Sequence, residues 1–486
     1  MSDARPPREA WPLVVAGVVI ILCLRLVALT QFPPPVADEG TWPFPVRQMV
    51  VDHVLHPNYY TAPAYHWLLG LVFRLFGPVL AVGRITAALI GLLSLGQVYA
   101  ISMRAFHDRN IALVAVLILG TDVSASLVGR TALIEPYHIA WLLALIYFLL
   151  GNRLTDLIGV SLCTAALMLT KLNAIYVVPV AILAVLWNLR QPGVSPRPRA
   201  LLFMALGLVL AASVYWYLYR SDPTTFMKGW QQKLLVDPSG GVTADPMSLV
   251  SSRRFIVKPH GVLLKLRALA GDAPLLFAFG VAAAFKALTE RRNALLGWWT
   301  LGALSFLLLT LYVQDTWFAL ASPPLAIGAA WLLAEIPATG WKRRWLGLPI
   351  SWPTLTIAVM VGAAVLQLSA RLAWTRPSTA DAVSWLQARV KREETVLGAP
   401  YILMQLTSKS IPFQEFRPSF VPGCDQVLGR RVRWVIVDEK EWGGRAGRGG
   451  RSTADIGQNL APCSRPVKRT PGATVYEVLP NRESPP

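Results

Sequence analysis

Residues 129–153 read "GRTALIEPYHIAWLLALIYFLLGNR". A polar turn with Arg130, Glu135 and His138 leads into an apolar run over about 133–150, and Arg153 follows. A long run with its charges confined to the two ends is what a lipid-crossing helix requires, because each ionised group is costly near the bilayer centre.

The same pattern recurs. Apolar segments lie at Trp11 to about Gln31 and at about 79–103, 110–128, 157–171, 173–189, 200–219, 270–288, 294–313, 316–335 and 353–373. With 133–150 they predict about eleven transmembrane helices. "AYHWLLGLVFRLFG" (64–77) is too short to span and reads as an amphipathic or re-entrant segment. Arg5 and Arg8 precede the first run, which has no small-residue cleavage site after it, so an uncleaved span is expected. Arg25 lies inside that span, placed either to snorkel or to face a polar cavity.

Composition agrees. The 486 residues are 54% hydrophobic and only 15% charged, where soluble chains are about a quarter charged. The net charge is +19, from 46 Lys+Arg against 27 Asp+Glu. No nucleic-acid-binding pattern accompanies it, so basic loops against anionic lipid are the expected partner surface. Basic clusters fall on alternate connections: Arg104 and Arg109; Arg153; Arg190, Arg197 and Arg199; Lys286, Arg291 and Arg292; Lys342, Arg343 and Arg344. That side is expected in the cytoplasm with the N-terminus, in an inner (plasma) membrane. The opposite face then receives the loops at 32–78 and 220–269, the turns near Glu135, Lys171 and Asp315, and everything after about 374.

Residues 1–375 are thus expected to form the membrane module and 376–486 a small extracytoplasmic α/β domain. In that tail, "STADAVSWLQARVKREE" has helical spacing, while "TVLGAP" (395–400), "RWVIVDE" (433–439) and "ATVYEVL" (473–479) read as strands. Cys23 and Cys163 lie in apolar runs. Cys424 and Cys463 lie in the tail, where an extracytoplasmic location allows a disulfide.

The outward face collects the reactive side chains. The first loop holds Asp38, Glu39, Asp52, His53, His56, Tyr59 and Tyr60. Lys171 interrupts an apolar stretch, and the loop at 220–269 carries Arg253, Arg254, Lys258 and His260. No histidine pairs with a Glu in a zincin-like spacing. Carboxylates and cations gathered at a membrane face suit group transfer from an anionic lipid: cations hold a phosphate leaving group and a carboxylate takes a proton from the attacking hydroxyl. No phosphate-cradling glycine loop points to a soluble nucleotide donor.

The order "ADEGTW", "NYYTAPAYHWLLGLVFRLFG", "VGRITAALIGLLSLGQVYAI", "GRTALIEPYHIAW" and "LTKLNAIYVVPVAIL" resembles the GT-C superfamily of membrane glycosyltransferases. It is closest to the protein O-mannosyltransferase and lipid A aminoarabinose transferase group. The resemblance covers about residues 12–190 and is weaker beyond. It implies a GT-C-like fold and a polyprenyl-phosphate-sugar-dependent glycosyltransferase (hexosyl or pentosyl) acting on an acceptor hydroxyl at the extracytoplasmic face. It carries the acidic pair onto Asp38 and Glu39, the second acid onto Glu135 and a basic residue onto Lys171. Asp38 is the expected general base. Glu39 and Glu135 position the acceptor, polarise it or hold a divalent cation, a choice the residues leave open. Arg130, Lys171, Arg253 and Arg254 are the expected phosphate contacts. Ala62-Pro63 and Trp317-Phe318 depart from the family's usual Pro-Pro and Arg-Tyr, so sugar and acceptor stay unassigned. The alternative is a transporter or flippase of a lipid-linked envelope intermediate. It needs the same basic cavity but no base, and the chain lacks a matched pair of broken segments in two halves.

Overall fold

A computed structural model describes residues 11–27, 29, 43–51, 62–189, 195–224, 226–227, 259–290, 293–309, 315–335, 343–345, 348–350, 352–374, 379–391, 394–398, 406, 413–415, 424–429, 432–438, 460–470 and 473–479.

The described residues up to Trp374 are mostly helical. In order come α1 (Trp11–Leu26), α2 (Pro43–Val51), α3 (Pro63–Phe76), α4 (Leu80–Phe106), α5 (Arg109–Thr121), α6 (Val123–Val128), α7 (Glu135–Leu149) and α8 (Leu154–Thr170). They continue with α9 (Val177–Asn188), α10 (Pro198–Ser221), α11 (Pro259–Asp272), α12 (Pro274–Thr289), α13 (Ala294–Leu309), α14 (Ser322–Glu335) and α15 (Trp352–Trp374). Among the described residues α4 (27 residues) and α10 (24 residues) are each long and apolar enough to cross a membrane alone; α5, α7, α8, α12 and α13 are shorter apolar helices of 13 to 17 residues.

The shorter lengths have local causes. The segment expected as one run over 110–128 is cut at Asp122, which caps α6 by accepting from Ala125 N at 2.8 Å. The run at 173–189 begins as a 3-10 turn, Leu172–Tyr176, before α9. Another such turn, Asp315–Leu320, precedes α14. Residues 64–76 fall within α3, and Gly77 caps its end in a conformation, φ 94°, that favours glycine.

The helices pack into one bundle. α10 runs along α8, α7 touches α4 and α8, and α14 lies against α5 and α12. Gly207 lets α10 approach α8 closely: a Cβ there would run into the Ser161 carbonyl. The main apolar core joins residues from α1 through α15, with Trp299 at 1% exposure in it.

The tail forms α16 (Ala380–Gln387), α17 (Cys424–Gly429) and a five-stranded sheet in the order β4-β3-β5-β7-β6. Here β3 is Thr395–Gly398, β4 Phe413–Glu415, β5 Val432–Asp438, β6 Ser464–Arg469 and β7 Ala473–Val478; Arg343–Trp345 (β1) and Leu348–Ile350 (β2) form a separate hairpin. β3 runs parallel to β4 and β5, while β7 is antiparallel to β5 and β6. β5 is covered on both faces, and its period-2 alternation separates them. Trp434 and Ile436 join a cluster with α16's Ala382, Val383 and Leu386, whereas Val435 and Val437 join Val427 and Leu460.

The first of those clusters does not stop at the tail. It also contains Met49 of α2, Tyr65, Leu69 and Phe73 of α3, Ala132 and Ile134 of the turn entering α7, and Tyr137 of α7 itself. The tail sheet therefore shares a core with the segment that carries Glu135.

Candidate functional site

The segment between α6 and α7 is a compact turn, with Thr131 Oγ1 donating to Val128 O at 2.9 Å. Glu135 opens α7 and Pro136 follows. Proline costs no helical hydrogen bond there, and the helix N-terminus favours a carboxylate. Lys171 is the mirror case. It ends α8, where a cation is favoured by the helix dipole. Its Nζ donates to Glu135 Oε1 at 2.5 Å, with side chains 13% and 3% exposed. Two residues 36 apart in sequence thus form one buried ion pair between two helix ends.

His138 lies one turn farther along α7, at 1% exposure. Neither ring nitrogen has a hydrogen-bond partner among the described residues.

Three buried arginines stand beside this turn. Arg130 donates from Nη1 to Leu24 O at 2.6 Å and from Nη2 to Val27 O at 2.5 Å. Arg84 Nη1 donates to Leu29 O at 3.0 Å. Arg25 Nη1 donates to Ala125 O at 2.5 Å. A Cβ on Gly129 would collide with the Arg25 guanidinium. Arg130 and Arg84 thus satisfy carbonyls at the end of α1 that the helix cannot satisfy itself. Burial and the nearby Arg84 guanidinium lower Arg130 to about 10, so it stays charged at neutral pH.

Of the expected site residues, Glu135 and Lys171 are brought into direct contact. Arg130 shares Glu135's turn, but these bonds direct its guanidinium onto α1. Asp38, Glu39, Arg253 and Arg254 lie outside the described residues, as do His53, His56, Tyr59 and Tyr60. Arg25 is buried rather than snorkelling, at 2% exposure. Cys424 and Cys463 are disulfide-linked, with Cα atoms 5.7 Å apart, and Cys23 and Cys163 are free thiols. Among the described residues no three His, Cys, Asp or Glu side chains gather as metal ligands.

Two contacts were not anticipated from sequence. Ser322 Oγ donates to Asp122 Oδ2 at 2.9 Å, tying α14 to the α5–α6 break. Arg84 lies in "VGRITAAL", where one arginine in an apolar run was the only available signal.

The profile of the Dolichyl-phosphate-mannose-protein mannosyltransferase family matches residues 56–217. No curated protein matches the chain by sequence. In fold, the chain is similar to ArnT from Cupriavidus metallidurans bound to undecaprenyl phosphate: TM-score 0.68, 15% identity, 97% of this chain and 98% of that one covered. It is also similar to the Archaeoglobus fulgidus oligosaccharyltransferase in its apo form, with TM-score 0.58, 12% identity and coverage of 91% and 71%. A third likeness is to AglB of the same organism in complex with an inhibitory peptide and a dolichol-phosphate, with TM-score 0.55, 12% identity and coverage of 99% and 75%. The chain has the helical fold of these proteins, and residues 56–217 resemble the mannosyltransferase family.

Proposed function

We propose that the chain is a membrane glycosyltransferase that moves a sugar from a polyprenyl-phosphate donor to an acceptor hydroxyl at the extracytoplasmic face. The observation that carries this reading is the buried Glu135–Lys171 pair, held between two helix ends within the segment matched by the mannosyltransferase profile. Two of the fold's likenesses, ArnT with undecaprenyl phosphate and AglB with a dolichol-phosphate, hold lipid phosphates, which supports a donor of that class.

The chemistry follows from the residues. Asp38 takes the proton as the acceptor oxygen attacks the anomeric carbon and the bond to phosphate breaks. The attack inverts the anomeric configuration. Glu39 and Glu135 orient the acceptor. Lys171 and the Arg253/Arg254 pair stabilise the departing phosphate, and Arg130 holds the neighbouring turn while adding positive potential. A divalent cation, if one is used, would find carboxylates in Asp38, Glu39 and Glu135 and would supply further charge stabilisation at the phosphate. In this reading about eleven helices form the membrane module, residues 376–486 form an outer α/β domain that positions the acceptor, and the N-terminus is cytoplasmic.

The experiment is a comparison in vesicles holding the purified chain and a polyprenyl-phosphate sugar. Sugar transfer to an acceptor supports the enzyme. Movement of the lipid across the bilayer without transfer supports the flippase reading instead.

A further inference from the structure

We propose that His138 is a substrate-positioning residue that takes a hydroxyl of the glycosyl group carried by the lipid donor. The inference rests on the function proposed above and deepens it.

Buried polar side chains are almost always hydrogen-bonded. His138 is 1% exposed, and both its nitrogens lack a partner among the described residues. A packing role would be served better by an apolar ring, since orphaned polar atoms weaken a fold. Its place is not that of an arbitrary core residue. It lies on α7 three positions beyond Glu135, on the same helical face. Glu135, one turn back on that face, holds the Lys171 ammonium at 2.5 Å, so the cation and the imidazole stand at the same end of α7.

The chemistry of the missing partner follows. An uncharged imidazole offers one N–H donor and one acceptor nitrogen. A hydroxyl offers the complementary acceptor and donor. A phosphate diester offers acceptors alone, and the adjacent Lys171 already supplies the cation it would seek. In a sugar–phosphate the glycosyl ring lies next to the phosphate, so an imidazole beside Lys171 would meet sugar hydroxyls.

The test uses the full-length chain, its His138→Leu and His138→Asn variants, and two probes: bare polyprenyl phosphate and polyprenyl-phosphate mannose. Without ligand, His138→Leu is expected to unfold at or above the wild-type temperature, because two orphaned atoms are removed. Bare lipid phosphate should raise the unfolding temperature of wild type and variants alike. The sugar-bearing lipid should raise it further in wild type. That extra shift should vanish in His138→Leu and be partly kept in His138→Asn. Transfer by His138→Leu should fall by roughly tenfold or more in kcat/KM. A lower unfolding temperature for unliganded His138→Leu would overturn the proposal by making the imidazole a core element. Equal extra shifts in wild type and His138→Leu would overturn it while leaving the donor class standing. No extra shift in wild type would instead remove the mannosyl-lipid donor, and this inference with it.

Discussion

Lys171 Nζ sits 2.5 Å from Glu135 Oε1 in surroundings that leave the carboxylate side chain 3% exposed. Two ions so deeply placed lose most of their hydration, and their mutual attraction has to offset that loss. A pair of this kind is a weak way to gain stability and a good way to hold charge ready beside a substrate. Lys171→Gln leaves Glu135 buried without its cation, at a cost on the order of 3–5 kcal/mol. Adding Glu135→Gln removes the stranded charge, so the double variant should regain much of that stability while transfer stays low. Denaturant unfolding in detergent and initial transfer rates measure the two quantities separately. A double variant that regains transfer together with stability would reduce the pair to a structural tie.

The catalytic proposal stands or falls at the acidic pair. Asp38→Asn keeps size and removes basicity, so turnover should drop by roughly a hundredfold or more. Unfolding temperature should stay close to wild type. Glu135→Gln should impair transfer less, and Asp52→Asn, in the same loop, should be mild. Wild-type turnover by Asp38→Asn would return "ADEGTW" to an ordinary loop.

Arg130 separates clamp from phosphate contact. Its planar fork reaches Leu24 O and Val27 O together, which a lysine cannot do with the same geometry. Arg130→Lys keeps the charge and gives up part of that fork. Each charge-assisted bond lost costs about 1.5–3 kcal/mol. The expected result is a lower unfolding temperature with nearly unchanged affinity for polyprenyl phosphate. Unchanged stability with weakened lipid binding would instead assign the guanidinium to the phosphate.

Legibility in the sequence tracked periodicity. Helices α4, α7 and α10 and strands β3, β5 and β7 announce themselves by long apolar runs or by alternation. Strand β6, "SRPVKR", is polar and contains Pro466, and β4 is three residues long, so neither carries a strand signal. The breaks at Asp122 and Leu172–Tyr176 leave the apolar run unchanged and are set by capping and packing. Glu135 and Lys171 could each be singled out as charges at the edges of apolar runs. Their pairing could not, because it depends on α7 and α8 packing side by side. Arg25 left two readings open, and its bond to the Ala125 carbonyl makes it a buried tie between α1 and α6.

The Cys424–Cys463 link closes a loop of 39 residues in the tail. In the chain-entropy account, such a loop contributes on the order of 3–4 kcal/mol. Cys463 is buried and precedes β6, while Cys424 opens α17, so the link ties helix to sheet edge. Cys424→Ser/Cys463→Ser should lower the unfolding temperature, and reductant should do the same to wild type but not to the variant. Quantitative labelling of both thiols in non-reduced wild-type protein would contradict the linkage.

Sidedness follows from which end of α7 each group occupies. Glu135 opens the helix, and its turn shares a core with the tail sheet through Ala132 and Ile134. At the other end, Arg104 donates to Asp156 at 2.8 Å and to Tyr147 O at 3.3 Å. Fifteen residues of helix separate the two ends, about 22 Å of axis at 1.5 Å per residue. Arg104 belongs to the alternate basic connections that include Arg109, Arg153 and Arg199, and such clusters stay in the cytoplasm. The tail is therefore expected outside, with Glu135. A reporter fused after Leu479 that works only in the cytoplasm should be silent, and one active only outside should work. Added cysteines in the Arg109 connection and near Leu479 should respond to an impermeant thiol reagent from opposite sides. A cytoplasmic reporter active after Leu479 would invert the orientation, place Glu135 on the cytoplasmic face with it, and remove the extracytoplasmic acceptor from the proposed reaction.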